Sequence, residues 1–191
     1  SVYSGKEGLD DYADDINVRS NMTNYLAGGS PYVPQMEGLG VPIALSLAVH
    51  SDAGIAKDAQ GLIGSLSIAT TNFNDGKLNA GISRLASRDL ADALLSNISR
   101  ELKDTYGRWN RRELYDRNYS ETRVPAVPSA IIETLSHQNF NDMRYGHDPN
   151  FRFTLARIIY KTLLRYVCEQ HGKPCVVTPL APNNFRVELS K

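Results

Sequence analysis

Residues 126–135 read AVPSAIIETL and residues 41–49 read VPIALSLAV, and these two stretches decide the fold of this chain of 191 residues. Both are almost continuously apolar, which is typical of strands buried on both faces of a parallel or mixed sheet. Each carries a polar residue near its carboxyl end, Glu133 inside the first stretch and His50 directly after the second. Because open α/β sheets place their ligands beyond the carboxyl ends of the strands, these two side chains are the first candidates for a site.

Other apolar repeats surround these strands. Residues 61–70 alternate between apolar and small or polar side chains and predict a third strand. Residues 87–106 repeat leucine or isoleucine every four residues behind Ser87, a candidate N-cap, and predict the clearest helix. Asp148 and Pro149 predict the start of a second long helix. The expected buried stripe of that helix comprises Phe153, Ala156, Tyr160, Leu163 and Val167.

The alternation of buried strands with amphipathic helices indicates an α/β fold. We expect a mixed, mostly parallel sheet flanked by helices in a three-layer α/β/α arrangement, as in phosphorylase/hydrolase-like folds. Residues 15–26 predict a short helix, and residues 107–123 predict a long irregular segment of the kind that often carries function. One domain is expected over residues 1–175, and a closing strand or the start of a following module over residues 176–191.

Composition supports a globular domain and disfavours some partners. The chain is 41% hydrophobic and 22% charged, and 21 basic residues balance 21 acidic ones. This balance argues against a nucleic acid or an anionic membrane as partner, because the chain has no long-range field to attract either. No apolar run approaches the roughly 20 residues that span a bilayer, and no signal peptide opens the sequence. We therefore expect no membrane span, in a chain that is already processed or excised from a longer one.

The two cysteines, Cys168 and Cys175, lie close together and allow two interpretations. One is a local disulfide, or two unreactive thiols, at a turn that Gly172 and Pro174 make plausible. The other is a metal site that recruits His171. Structural zinc sites usually have four ligands and no fourth candidate lies nearby, so the first interpretation is favoured.

Taken from the residues alone, His50 and Glu133 also allow structural roles. A histidine at a strand end is commonly a hydrogen-bonded part of the scaffold. A buried glutamate commonly belongs to a salt bridge, because an unpaired buried carboxylate is costly. The alternative is a metal centre in which the two residues act together.

The sequences around both residues resemble a known enzyme family. LSLAVHSDAG at residues 45–54 and VPSAIIETLSHQN at residues 127–139 are similar, in order and spacing, to the two carboxyl-terminal signatures of the zinc-dependent N-acetylmuramoyl-L-alanine amidases. The likeness covers roughly residues 10–170. Further segments resemble a divergent branch of that family from Bacteroides-type bacteria, namely residues 109–112, 118–122 and 136–144.

The resemblance implies a reaction and the roles of two residues. The reaction is hydrolysis of the amide that joins N-acetylmuramic acid to L-alanine in peptidoglycan. His50 matches the last of the family's three zinc ligands. Glu133 matches its catalytic glutamate, which takes a proton from zinc-activated water and passes it to the leaving amine. The implied cofactor is zinc, the partner is peptidoglycan or a muropeptide, and the location is the cell envelope (periplasm) or outside the cell.

Several polar residues near the two strand ends are candidates for contacts with this substrate. They could hydrogen-bond the muropeptide or orient Glu133, and loop structure alone is the alternative for each. These residues are Ser51, Asp52, Asn118, Tyr119, His137 and Asn139.

One part of the family pattern is missing upstream of His50. The family's first two zinc ligands, a histidine and a glutamate, come earlier in the chain. No histidine precedes His50 here, and the upstream glutamates Glu7 and Glu37 lie on no convincing core helix. We therefore expect the remaining ligands in a segment upstream of this chain; the alternative is a degenerate domain that cannot hold zinc tightly. Two other functions stay open: a related zinc hydrolase of carboxypeptidase type, and a non-catalytic domain that binds the cell wall.

Overall fold

The computed structural model describes residues 10–58, 60–182 and 186–188. Helices and strands are interspersed along the chain, as is typical of an α/β fold. The helices are α1 (Asp11–Ala27), α2 (Leu85–Tyr106), α3 (Ser120–Arg123), α4 (Phe140–Gly146) and α5 (Pro149–Gln170). The strands are β1 (Ser46–Asp52), β2 (Ser65–Ala69), β3 (Arg111–Asp116) and β4 (Ser129–Ser136).

The strands form one mixed sheet in the order β1-β4-β2-β3. β1 runs parallel to β4 and β2 runs parallel to β3, whereas β2 and β4 are antiparallel. The predicted mixed, mostly parallel sheet flanked by helices is therefore confirmed. β4 is central, and Glu133 is its one residue that is not buried.

Alternation along β4 divides its side chains between the two faces of the sheet. Ile132 packs with Leu95 of α2 and Phe151 of α5 in the main core. Ile131 points to the other face and packs with apolar side chains of β2. α3 contacts β4, and α1 contacts α3. Because Glu133 lies two residues after Ile131, it shares the second face.

β1 differs from the strand expected over residues 41–49. It begins at Ser46 and forms an edge of the sheet among the described residues. Val49 is 57% exposed, so the strand is not buried on both faces. The backbone N–H of Val41 donates instead to Leu26 O of α1, and Pro42 has no N–H to offer a strand. The first part of the apolar stretch therefore packs against α1.

The segment predicted to be irregular, residues 107–123, contains β3 and α3, so that prediction was wrong. β3 reads RRELYD and has no fully buried residue, and it therefore lacks the apolar pattern of a core strand. It is held by pairing with β2 instead. Thr122 of α3 is fully buried, and its hydroxyl lies 2.7 Å from that of Thr70.

α5 begins as predicted, with the side chain of Asp148 as its cap, but its buried face is rotated. Phe153 and Tyr160, expected in the buried stripe, are 59% and 42% exposed. The reason is Phe151, whose ring packs 5.1 Å from that of Trp109 and thereby fixes which face points inward. The buried residues of α5 are Phe151, Leu155, Ile158, Thr162 and Tyr166.

α2 is confirmed, but it begins at Leu85, so Ser87 is not its N-cap. The hydroxyl of Ser87 is buried and accepts a hydrogen bond from Ser129 N at 3.0 Å. It therefore ties α2 to the first residue of β4.

The cysteines and the end of the chain give further outcomes. Cys168 and Cys175 are free thiols. His171 Nε2 lies 3.0 Å from Tyr32 Oη, and so it is engaged away from the cysteines. The described residues of the last segment, 176–182 and 186–188, form no strand, and the rest of 176–191 lies outside the described residues. The domain boundary after residue 175 stays a prediction.

A buried carboxylate joins the end of β4 to the start of β2. Asp142 is fully buried and accepts from the backbone N–H groups of Ile63 at 2.9 Å, Gly64 at 3.0 Å and Ser136 at 2.9 Å. Asn139 Nδ2 donates to the same carboxylate at 2.9 Å. These charge-assisted bonds fix the turn that follows β4.

The substitution Asp142→Asn is expected to lower the free energy of unfolding by about 3 kcal/mol, because an amide loses the charge and offers an NH₂ group to N–H donors. Urea denaturation measures the change. Asp104→Asn, at an exposed position of α2, is the control and should stay within about 0.5 kcal/mol of wild type. Equal effects of the two substitutions would contradict the structural role of Asp142.

Candidate active site

His50 and Glu133 are direct neighbours across the β1–β4 pair. His50 Nδ1 lies 3.9 Å from Glu133 Oε1. Paired residues of adjacent strands project from the same face of a sheet, so the strand register alone brings the two side chains together. The sequence analysis expected both side chains near the carboxyl ends of two strands. The structure places them on paired residues, and a distance of 3.9 Å separates His50 Nδ1 from Glu133 Oε1.

The side chain of Glu133 is largely buried. Its side chain is 14% exposed, and its Oε2 is buried with no hydrogen-bond partner among the described residues. Burial is the main cause that raises the pKa of Glu133, His50 and Arg112 oppose the rise, and the negative charges of Asp52 and Glu121 add to it. A raised pKa suits a carboxyl group that takes up and releases a proton during a reaction.

Glu121 is a third member of the site that the sequence analysis did not single out. Its Oε2 lies 2.9 Å from His50 Nε2, and its Oε1 lies 3.3 Å from Nη1 of Arg19 in α1. Arg19 also pairs with Asp15. The available sequence signal was the place of Glu121 in one of the amidase-like segments. Nothing there directed it at His50, because the helix that carries it was not predicted.

Hydrogen bonds from two sides hold α3 in place. Ser20 and Asn24 of α1 donate to the backbone of α3 and of the residue after it, at 3.1 and 2.9 Å. Arg84 is 3% exposed and donates to the carbonyl oxygens of Thr122 and Arg123, at 3.3 and 2.8 Å. Four helical residues are not stable in isolation, so these contacts fix the position of the acidic side chain that α3 carries.

Three more of the predicted residues lie in two polar pairs at the strand ends, and Arg112 completes one of these pairs. Asp52 Oδ2 lies 2.7 Å from Nη1 of Arg112, which links β1 to β3 across the end of the sheet. Ser51 Oγ lies 3.1 Å from His137 Nδ1, and both residues are exposed. These pairs form a polar rim beside His50.

The last three predicted residues are placed differently. Asn139 is buried, and its Nδ2 donates to Gly61 O at 3.0 Å, so it braces the turn after β4. Asn118 Oδ1 accepts from Arg123 Nη1 at 3.2 Å. Tyr119 is half exposed and directly precedes α3. Asn118 and Tyr119 therefore lie on the α3 side of the site.

The part of the chain that the structure describes holds no group of three or more His, Cys, Asp or Glu side chains placed to bind a metal ion. A catalytic zinc site needs three protein ligands, so these residues do not make a complete one. They do fit one imidazole ligand, His50, beside the largely buried carboxyl group of Glu133, whose Oε2 has no hydrogen-bond partner among the described residues.

Solved structures with a similar fold are amidases. They include the N-acetylmuramoyl-L-alanine amidase from Clostridium difficile 630 (TM-score 0.55, 16% identity, covering 78% of this chain and 63% of that chain). The CwlD amidase from Clostridioides difficile in complex with the GerS lipoprotein (0.57, 15%, 88% and 71%) and the N-acetylmuramyl-L-alanine amidase Ami1 from Mycobacterium smegmatis (0.56, 16%, 81% and 61%) are also similar. No protein-family model and no curated protein sequence matches the chain.

The TM-scores show a shared fold. The fold that the resemblance implied is therefore confirmed: this chain has the α/β architecture of the solved amidases. It spans 63% of the length of the first of those structures and 61% of the length of the third.

In the metal-free protein, Glu133→Gln is expected to raise Tm at pH 8 and to leave it nearly unchanged at pH 4. Because the pKa of Glu133 is raised in the folded state, ionising it penalises folding as pH rises from about 4.3, the usual glutamate value, through the raised pKa. Below that range both states keep the proton and the penalty is absent. Thermal melting between pH 4 and pH 8 measures the difference.

The matched control is Glu113→Gln, which removes an exposed carboxylate of β3. Its effect on Tm should not grow with pH. A difference for Glu133→Gln that stays constant from pH 4 to pH 8 would show that burial does not disfavour the charged form.

Proposed function

We propose that this chain forms part of a zinc-dependent N-acetylmuramoyl-L-alanine amidase, which hydrolyses the amide between N-acetylmuramic acid and L-alanine of peptidoglycan. The observation that carries the proposal is the approach of His50 Nδ1 to Glu133 Oε1, 3.9 Å apart, on a sheet whose fold is shared with solved amidases. The imidazole of His50 suits a metal ligand, and the largely buried carboxyl group of Glu133 beside it suits a general base.

In this proposal His50 is one zinc ligand and the remaining ligands come from outside the described residues. The coverage of 63% of a similar amidase supports a contribution from a further segment. Zinc, when bound, supplies a Lewis acid that polarises the scissile carbonyl and makes water more acidic. This is the chemistry that His50 would bring to the site.

Glu133 acts first as a base and then as an acid. Its carboxylate takes a proton from the attacking water, and the raised pKa favours that uptake. The proton then passes to the amide nitrogen as the C–N bond breaks. The products are a carboxylate on the lactyl group of N-acetylmuramic acid and a free amine on L-alanine. Its low exposure helps the carboxyl group to keep the proton between these two steps.

The polar rim would hold the substrate along the ends of β1 and β4. Ser51 and His137 are exposed there and can exchange their mutual hydrogen bond for bonds to a muropeptide. Asp52 contributes through its pair with Arg112.

On the opposite side of His50, Asn118 and Tyr119 would extend the same surface, since both directly precede α3. Asn139 would act at a distance, through the turn that it braces.

Such a substrate places the activity at the cell envelope, in the periplasm or outside the cell. Among the described residues, no helix is both long and apolar enough to cross a membrane.

The test is to compare zinc content and muropeptide cleavage in the natural protein that contains this chain. Glu133→Gln is expected to keep its zinc and to lose cleavage by about 10²- to 10⁴-fold, the usual contribution of a general base. His50→Ala is expected to lose both, because a ligand is removed. Elemental analysis measures the zinc, and mass spectrometry measures the release of peptides with a free L-alanine amine.

His147→Ala is the control, because it removes an exposed histidine at the end of α4. Full cleavage by Glu133→Gln would contradict the role of the carboxylate. An unmodified protein that binds neither zinc nor cleaves muropeptides would favour a non-catalytic cell-wall-binding function. Cleavage of peptides that lack the sugar would favour a carboxypeptidase-like hydrolase instead.

A further inference from the structure

His50 lies between two carboxylates, and the proposed reaction uses only one of them. Glu133 Oε1 faces Nδ1 at 3.9 Å, beyond hydrogen-bond distance. Glu121 Oε2 lies 2.9 Å from Nε2, a close contact between a carboxylate oxygen and a ring nitrogen. The two ring nitrogens therefore have different partners.

A neutral imidazole carries a proton on one nitrogen and a lone pair on the other. At this distance a carboxylate oxygen attracts an N–H group and repels a nitrogen lone pair, so the contact with Glu121 favours the proton on Nε2. The lone pair then belongs to Nδ1, the nitrogen on the side of Glu133. A histidine binds a metal through its unprotonated nitrogen, and the hydrogen bond of the other nitrogen sets which one that is.

We infer that Glu121 is a positioning residue, which selects the Nε2–H tautomer of His50, orients its ring and leaves Nδ1 for the metal. This inference rests on the proposed function, because it assumes that His50 is a zinc ligand. Glu121 itself touches neither the metal nor the substrate in this arrangement.

The surroundings of Glu121 support a carboxyl group that is held beside His50. Its Oε1 lies 3.3 Å from the guanidinium of Arg19, which supplies a positive charge on the side away from His50. The side chain is 16% exposed. α3 is held by α1 on one side and by the buried Arg84 on the other, so the backbone that carries Glu121 is fixed beside His50.

The contact also has a cost that a purely structural ion pair would not need to bear. Glu121 and Glu133 both place negative charge beside one imidazole, and Glu121 adds to the rise of the Glu133 pKa. The arrangement also has a benefit. It orients His50 from the Nε2 side and leaves the lone pair of Nδ1 available for a metal.

The first measurement is the tautomer of His50 in the metal-free protein, read from ¹⁵N chemical shifts after labelling with ¹⁵N-histidine. The signals of His50 are assigned by their loss in His50→Gln. The expected result is the Nε2–H tautomer in the unmodified protein and a mixture of both tautomers in Glu121→Met, which keeps the length of the side chain and removes the acceptor.

The second measurement is the zinc affinity of the natural protein that contains this chain, by competition with a chelator. Glu121→Met is expected to weaken zinc binding by about 10- to 100-fold, the usual effect of removing such a partner of a ligating histidine. Glu113→Met, on the exposed side of β3, should leave both the tautomer and the affinity unchanged.

A dominant Nδ1–H tautomer in the unmodified protein would overturn the inference, and so would equal zinc affinities of Glu121→Met and the unmodified protein. Zinc coordination through Nε2 would do the same and make Glu121 a candidate ligand. The tautomer of the unmodified protein is measured without zinc and without the Glu121→Met variant. It therefore tests the inference even if Glu121→Met does not fold. Absence of zinc binding by the unmodified protein would contradict the proposed function, whereas the wrong tautomer in a protein that binds zinc contradicts only this inference.

Discussion

The parallel hydrogen-bond register between β1 and β4 is the constraint on which the site depends. It pairs His50 with Glu133, and a shift by one residue would turn one of the two side chains to the opposite face. β4 is fixed in this register because it is central and buried, with α2 tied to its first residue through Ser87 and the turn after it tied to β2 through Asp142. The packing of the core therefore sets the distance between these two side chains.

α3 adds a second constraint from outside the sheet. It has four residues and owes its position to partners in three other parts of the chain: α1, the buried Arg84, and Thr70 at the end of β2. The sheet positions His50 and Glu133. α3 positions Glu121 beside Nε2 of His50, the ring nitrogen that does not face Glu133. The surroundings of His50 are thus set jointly by two independently supported elements.

The sequence was informative where burial produces a pattern and uninformative where it does not. The apolar run around Ile131 and Ile132, the four-residue repeat of α2 and the Asp148 cap predicted the core elements, and the motifs around His50 and Glu133 predicted the fold shared with solved amidases. β3 was missed because an exposed edge strand needs no apolar run. Glu121 was missed because its role comes from contacts with residues distant in sequence, and a single sequence does not contain those contacts.

α1 is attached to the rest of the molecule in an unusual way for so long a helix. Ser20 and Ala27 are its only buried residues among those described, and side-chain hydrogen bonds and an ion pair connect it to α3 and the residue after it. A helix that buries little apolar surface forms a separate cooperative unit, which can open while the core stays closed. Ionic screening weakens exposed charge pairs such as Arg19 with Asp15 and leaves apolar packing almost untouched. The surroundings of His50 are therefore connected, through Glu121 and Arg19, to a helix that buries little apolar surface, and amide hydrogen exchange in α1 would report on its opening.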